Sequence, residues 1–246
     1  MSRIISIYVV THKEFNPPTG EIYVPIQVGK IFTKNELPYI GDDTGENIAE
    51  KNANYCELTA FYWLWKNIHD VDYIGICHYR RYFTNNYYFN SACFFVNERQ
   101  IEKIMKNYDA ILPKQTKLSM TVREYYSYCD GLDKDLETTG NIILKKYPKY
   151  SKEYDIVMKS NHASYCNMMI TSKELFDEYC TWLFDILFEV EKETNMEGYT
   201  KAQRRVFGYI SEILLNVWAL HNKLKVKYMD VINTETSIKY RITHRN

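Results

Sequence analysis

The feature that most constrains this chain is the alternation of short apolar runs with longer amphipathic ones. Residues 4–10, 71–77, 109–112, 164–170 and 225–232 form brief apolar stretches. That is the length of a buried strand and too short for an average helix. Between them lie segments of helical period. Residues 54–67 place Leu58, Phe61, Tyr62 and Trp65 on one face, and 97–107 open on an Asn97 cap. Shorter helical pieces are expected at 121–129, 133–147 and 150–159. A capping-box pattern at Thr171 and Glu174 starts a stripe from Leu175 to Val190, and residues 201–221 keep Val206, Ile210, Ile213, Leu214 and Val217 together. Such alternation predicts an α/β fold with a mostly parallel central sheet and helical elaborations. Residues 13–50 hold Pro17, Pro18, Gly20, Pro38, Gly41 and Gly45 and read as one long ordered loop of the binding type.

At 246 residues the chain fits one large domain. Lys+Arg and Asp+Glu balance at 31 each, so no overall basic field draws the chain to nucleic acid. The 23 tyrosines supply flat amphipathic rings suited to sugars and nucleobases, although most are expected in the core. The apolar run at the N-terminus lacks a small-residue cleavage site and reads as a first strand rather than a signal peptide. No stretch reaches the roughly 20 apolar residues of a membrane span. The six cysteines, at 56, 77, 93, 129, 166 and 180, show no C-x-x-C pair and no zinc-like spacing. Reduced thiols and a cytoplasmic location are expected.

In α/β sheets, ligands bind beyond the carboxyl ends of strands. Two polar groups stand there: Thr11, His12 and Lys13 after the first strand, and His78, Tyr79, Arg80 and Arg81 after residues 74–77. Adjacent arginines suit phosphate or carboxylate, and salt bridges to acidic helix faces are an equally weighted alternative. His78 adds a hydrogen bond or a proton. Cys77 and His78 point to opposite strand faces, which disfavours a thiol–imidazole pair. On the last helix, Arg205, Glu212 and Asn216 fall within about 40° of one another. That arrangement serves either a general base or an ion pair. The stretch 42–47 lacks the ligand pattern of a calcium loop.

Several blocks together carry a resemblance. They are Asp43-Thr44-Gly45-Glu46-Asn47 with Glu50-Lys51-Asn52, Tyr55-Cys56-Glu57-Leu58, and Gly75-Ile76-Cys77-His78-Tyr79-Arg80-Arg81-Tyr82-Phe83. To these are added Asn167-Met168-Met169-Ile170 and Arg205-Val206-Phe207-Gly208-Tyr209-Ile210-Ser211-Glu212. In this order they resemble the small bacterial capsular and exopolysaccharide glycosyltransferases, long catalogued as a domain of unknown function and including galactofuranosyltransferases.

The resemblance implies a single Rossmann-like, GT-A-like domain over 1–246, with a nucleotide-sugar half at 1–112 and an acceptor-side helical half at 113–246. It implies transfer of a hexose, galactofuranose or galactose, from a UDP-sugar to a hydroxyl of a growing, lipid-linked oligosaccharide with inversion. Glu212 is the first candidate base and Asp130 the second. Asn167 would orient a sugar. Thr11, His12, Lys13, Asn47, Lys51 and Asn52 would line the nucleotide pocket, Tyr79 would stack, and Arg80, Arg81 and Arg205 would hold the diphosphate.

Enzymes of this kind often carry an Asp-x-Asp metal site after a strand. Here Asp70-Val71-Asp72 precedes its strand, and Asp133-Lys134-Asp135 lies between helices. No metal site is therefore assigned, and dependence on Mn or Mg is left to experiment. The contrasting reading is a non-catalytic sugar-nucleotide or glycan-binding module. From His221 onwards six Lys/Arg face two acids. This excess suits peripheral contact with anionic lipid, and a solvated tail is the plainer reading.

Overall fold

The computed structural model describes residues 3–34 and 37–243; the last three residues of the basic tail lie outside them. Among the described residues are ten strands: β1 (Ile5–Thr11), β2 (Tyr23–Gln27), β3 (Ile40–Gly41), β4 (Tyr73–His78), β5 (Arg81–Thr84), β6 (Ala110–Pro113), β7 (Thr116–Lys117), β8 (His162–Ala163), β9 (Met169–Ser172) and β10 (Val226–Asn233). The α-helices are α1 (Asn52–Tyr55), α2 (Leu58–Asn67), α3 (Glu98–Met105), α4 (Val122–Tyr128), α5 (Asp133–Lys146), α6 (Ser151–Lys159), α7 (Lys173–Glu193), α8 (Val206–His221) and α9 (Ile238–Thr243).

Strands β3, β2, β1 and β4 run parallel as a wing. From β4 the sheet continues antiparallel to β9, which is antiparallel to β6, while β6 runs parallel to β10. β10 is antiparallel to β5, and β5 returns to the end of β4 through the pair His78 and Arg81. Five strands thus close into a partial barrel. The expectation of a mostly parallel sheet is corrected: among the described residues four pairings of this sheet are parallel and four antiparallel, and β7 and β8 form a separate antiparallel pair. Apolar runs report burial and carry no strand direction. The tight connection at Tyr79 and Arg80 forces β5 back along β4, where a parallel return would need a long crossover.

β1 and β4 are buried on both faces. Tyr8, Val10, Ile74 and Ile76 pack with α2, α7 and α8, whereas Ile7, Val9, Tyr73 and Cys77 pack on the opposite side with Phe83, Ile101, Ile111 and Ile170. The period-two alternation of strand side chains divides each run between the two cores.

Four local expectations change. The loop at 13–50 contains β2 and β3; Pro25 disguises the strand, and it is tolerated because β3 pairs only with Ile26 and Gln27. The helix expected at 54–67 breaks at Cys56. The long helix α7 is capped by Ser172, which accepts from the Leu175 amide at 3.2 Å, while the Thr171 hydroxyl donates to the Asp109 carbonyl at 2.7 Å from within β9. Residues 164–168 are not strand but a turn leading into β9, so Asn167 precedes the strand.

Gly75 sits mid-strand between β1 and β9. A β-carbon there would come within 2.9 Å of Ile170 and 3.0 Å of Ile7. Gly75→Ala is expected to cost about 1–3 kcal/mol through overpacking of this junction, read from the urea midpoint at unchanged slope.

Candidate active site

A cavity of about 580 Å³ opens at the carboxyl ends of β1 and β4. Its sheet side is built by Thr11, His12, His78 and Tyr79, with Arg80 and Arg81 from the β4–β5 turn. The opposing wall comes from the α1–α2 break at Cys56 and Glu57, and from Arg205, Tyr209 and Glu212 around the start of α8. The floor includes Cys166.

Three residues beside this cavity have backbone conformations that disfavour an L side chain. Cys56 has φ 52° and ψ −126°, Cys166 has φ 80° and Asn167 has φ 45°. Such strain costs about 1–3 kcal/mol per residue and collects at functional sites. Here it has a visible result. The kink at Cys56 ends α1 and turns Glu57 towards Asn167. The turn at 166–167 aims the Cys166 amide at α8.

The resulting network joins two carboxylates. The Cys166 N–H donates to Glu212 Oε1 at 2.8 Å. Asn167 Nδ2 donates to Glu57 Oε1 at 2.7 Å and to the Gly208 carbonyl at 2.9 Å. Ser211 in turn donates to Asn167 Oδ1 at 3.0 Å. Burial, and then the neighbouring charge of Glu57, push Glu212 up to about 8. His78 Nε2 lies 2.6 Å from the Cys166 carbonyl, which can only accept, so that nitrogen carries the hydrogen. Burial lowers the imidazole below its ordinary value. His78 is therefore neutral near pH 7, with Nδ1 as an acceptor. Burial pushes the Cys56 and Cys166 thiols up to about 11, so neither is a thiolate at neutral pH.

Of the residues singled out from sequence, Thr11, His12, Asn52, His78, Tyr79, Arg80, Arg81, Arg205 and Glu212 line this cavity. Others do not line it. Lys13 pairs with Glu235 at 3.3 Å, an acid that Arg80 also meets at 3.0 Å, and its ammonium lies 4.7 Å from the Tyr79 ring; Lys51 pairs with Glu191 at 2.8 Å. Asn47 closes its own turn by bonding Gly45 and Ala49. Asn167 is buried, does not line the cavity, and donates to Glu57, which does. Asp130 is exposed at the end of α4 and is not part of the cavity lining. The two Asp-x-Asp look-alikes have other partners. Asp72 accepts from the Ile4 amide at 2.7 Å, Asp133 takes Arg123 in a two-pronged pair at 2.6 Å, and buried Asp135 accepts from Tyr199 at 2.5 Å.

Sequence reasoning missed Glu57, Lys201, Arg204 and Tyr209 as lining residues. Glu57 stood inside a quoted block, but a straight helix over 54–67 would have turned it with its neighbours. Lys201 and Arg204 precede α8, where the short turn Gln203–Arg205 replaces the regular helix expected from residue 201.

A family model described as "Domain of unknown function (DUF4422)" matches residues 6–223. The chain belongs to the DUF4422 family. Among solved structures, this DUF4422 chain is similar to the WbbM bifunctional glycosyltransferase in its apo form. The two are 32% identical with a TM-score of 0.88 over 95% of this chain, which spans only 46% of WbbM. A mannosyltransferase of S. cerevisiae, Ktr4p, aligns over 85% of this chain and 61% of its own at 9% identity and a TM-score of only 0.33. No curated protein matches. Among the described residues of this DUF4422 chain, no helix is long and apolar enough to cross a membrane.

The raised Glu212 carboxyl has a consequence for stability. A group whose folded value exceeds its unfolded value of 4.5 contributes most below pH 4.5, and that contribution is lost as pH rises towards 8. Glu212→Gln is therefore expected to gain melting temperature over the parent progressively between pH 5 and 8.5. A gap that stays constant in scanning calorimetry would show an ordinary carboxyl.

Proposed function

We propose that this chain is a glycosyltransferase that moves a sugar from a nucleotide donor to a saccharide hydroxyl with inversion. The observation that carries the reading is the composition of one cavity. Arg80, Arg81, Lys201, Arg204 and Arg205 share it with the carboxylates Glu57 and Glu212. Cations suit a departing diphosphate, and a carboxylate with a raised pKa suits removal of a hydroxyl proton at neutral pH. The likeness to WbbM supports the same reaction class.

In the proposed reaction Glu212, ionised in about a tenth of molecules at pH 7 if it titrates near 8, takes the acceptor proton. The acceptor oxygen bonds to the anomeric carbon through an oxocarbenium-like state. The electron pair of the breaking C–O bond passes to the diphosphate, whose charge the arginines take up. Neutral His78 offers Nδ1 to a sugar hydroxyl. Tyr79, edge-on to His12 at 5.4 Å and flanked by Arg80 at 5.5 Å, offers a face for the nucleotide or sugar. In finer detail, the proposed donor is UDP-galactofuranose or UDP-galactose. The proposed acceptor is a lipid-linked capsular, exopolysaccharide or O-antigen oligosaccharide met at the cytoplasmic face. The wing of β1–β4 serves as a Rossmann-like, GT-A-like nucleotide half.

The test is nucleotide release from UDP-, GDP- and dTDP-sugars, with and without EDTA and added manganese. Release should occur with one nucleotide class and survive EDTA; loss restored by manganese would place a metal in the mechanism. Glu212→Gln should lower turnover by about 10²–10⁴ while retaining UDP binding. The parent's rate should climb with pH to a plateau above about 8, as Glu212 ionises. Full activity in Glu212→Gln rejects the base assignment. Binding without nucleotide release in the parent would favour the non-catalytic module.

A further inference from the structure

The main cavity has a neighbour. A second hollow of about 260 Å³ shares two lining residues with it, Arg81 and Cys166, and is otherwise built from different parts of the barrel. Tyr87, Tyr165, Asp230 and Asn233 contribute its rings and polar groups.

The partition between the two hollows is the strained turn at Cys166. On the main-cavity side its amide holds Glu212 and its carbonyl takes the His78 hydrogen. Its neighbour Tyr165 lines the second hollow only. The Tyr165 hydroxyl is buried without a hydrogen-bond partner, an unusual and costly arrangement, while its ring helps to line the hollow.

The two hollows differ in charge. Arg80, Lys201, Arg204 and Arg205 line the main cavity alone. In the second, the carboxylate of Asp230 lies 4.0 Å from the ammonium of Lys114, which also lines it, so Arg81 on the shared wall is the remaining cation. A diphosphate is drawn to the first. A neutral ligand with many hydroxyls suits the second, where two phenol rings can cover apolar sugar faces and carboxylate and amide groups can meet hydroxyls.

We infer that the hollow bounded by Tyr87, Tyr165, Asp230 and Asn233 is the acceptor-saccharide subsite, set across the Cys166 turn from the donor cavity. The inference rests on the transferase reading. It deepens that reading by giving the attacking sugar a place of its own, reached past the partition that holds Glu212.

Saturation-transfer NMR with methyl gluco-, galacto- and mannopyranosides tests it on the whole chain loaded with saturating UDP. At least one glycoside should bind and persist under UDP, because the two hollows are separate. Tyr87→Ala and Asp230→Asn should each weaken glycoside binding by about tenfold, the loss of one covering ring or of roughly one good hydrogen bond. Their UDP affinity by calorimetry should stay within about twofold, which also reports that the variants are folded. Displacement of the glycoside by UDP would overturn the inference. So would parental glycoside affinity in both variants, or no glycoside binding to the parent. If glycoside binds beside UDP yet no nucleotide sugar is turned over, the transferase reading fails and the saccharide site stands. If nucleotide is released but no glycoside binds, the subsite alone fails.

Discussion

The site depends on keeping two carboxylates in one wall against their mutual repulsion and the cost of removing them from water. Glu57 and Glu212 come from segments more than 150 residues apart, and each is reached by a hydrogen bond from the same turn. That turn, at Cys166 and Asn167, takes a left-handed backbone that Asn tolerates and Cys does not favour. Asn167 closes the arrangement by bonding Glu57, Gly208 and Ser211 together. The helix α8, the α1–α2 break and the start of β9 are thereby tied at a point beyond the ends of the parallel strands. The surrounding fold supplies the rigidity. α8 is buried along most of its length, and β9 is paired on both sides within the closed part of the sheet.

The parts of this architecture that follow from local pattern were legible. β1, β4 and the two long helices show in residue spacing because burial selects apolar side chains at the strand and helix periods. The groups after β1 and β4 were legible for the same reason, since polar residues directly following a buried strand must emerge at its end. What was hidden depends on direction and contact. The antiparallel returns of β5 and β9 leave no mark on an apolar run. Pro25 hid β2, because its acceptability depends on a β3 too short to need the missing donor. Glu57 was hidden by the kink at Cys56, a conformation for which no sequence rule exists when the residue is not glycine.

The candidate lysines outside the cavity lining have acidic partners distant in the chain, Glu191 for Lys51 and Glu235 for Lys13, the latter shared with Arg80. A balance of 31 positive and 31 negative side chains allows most cations to be paired away, and those that gather in the cavity are drawn from only two turns. Charge counting ruled out a broad basic surface and had no bearing on where the local excess would fall.

Closure of the five strands has an effect beyond the site. An open sheet presents two rows of unpaired backbone groups, each a template for another strand. In this sheet β4, β9, β6, β10 and β5 pair with one another in a ring, so among the described residues the end strand of the eight-stranded sheet is β3, two residues long. A chain with this many tyrosines and β-branched residues would otherwise invite strand-by-strand association. The geometry that shapes the ligand wall thus also protects the protein against its own kind.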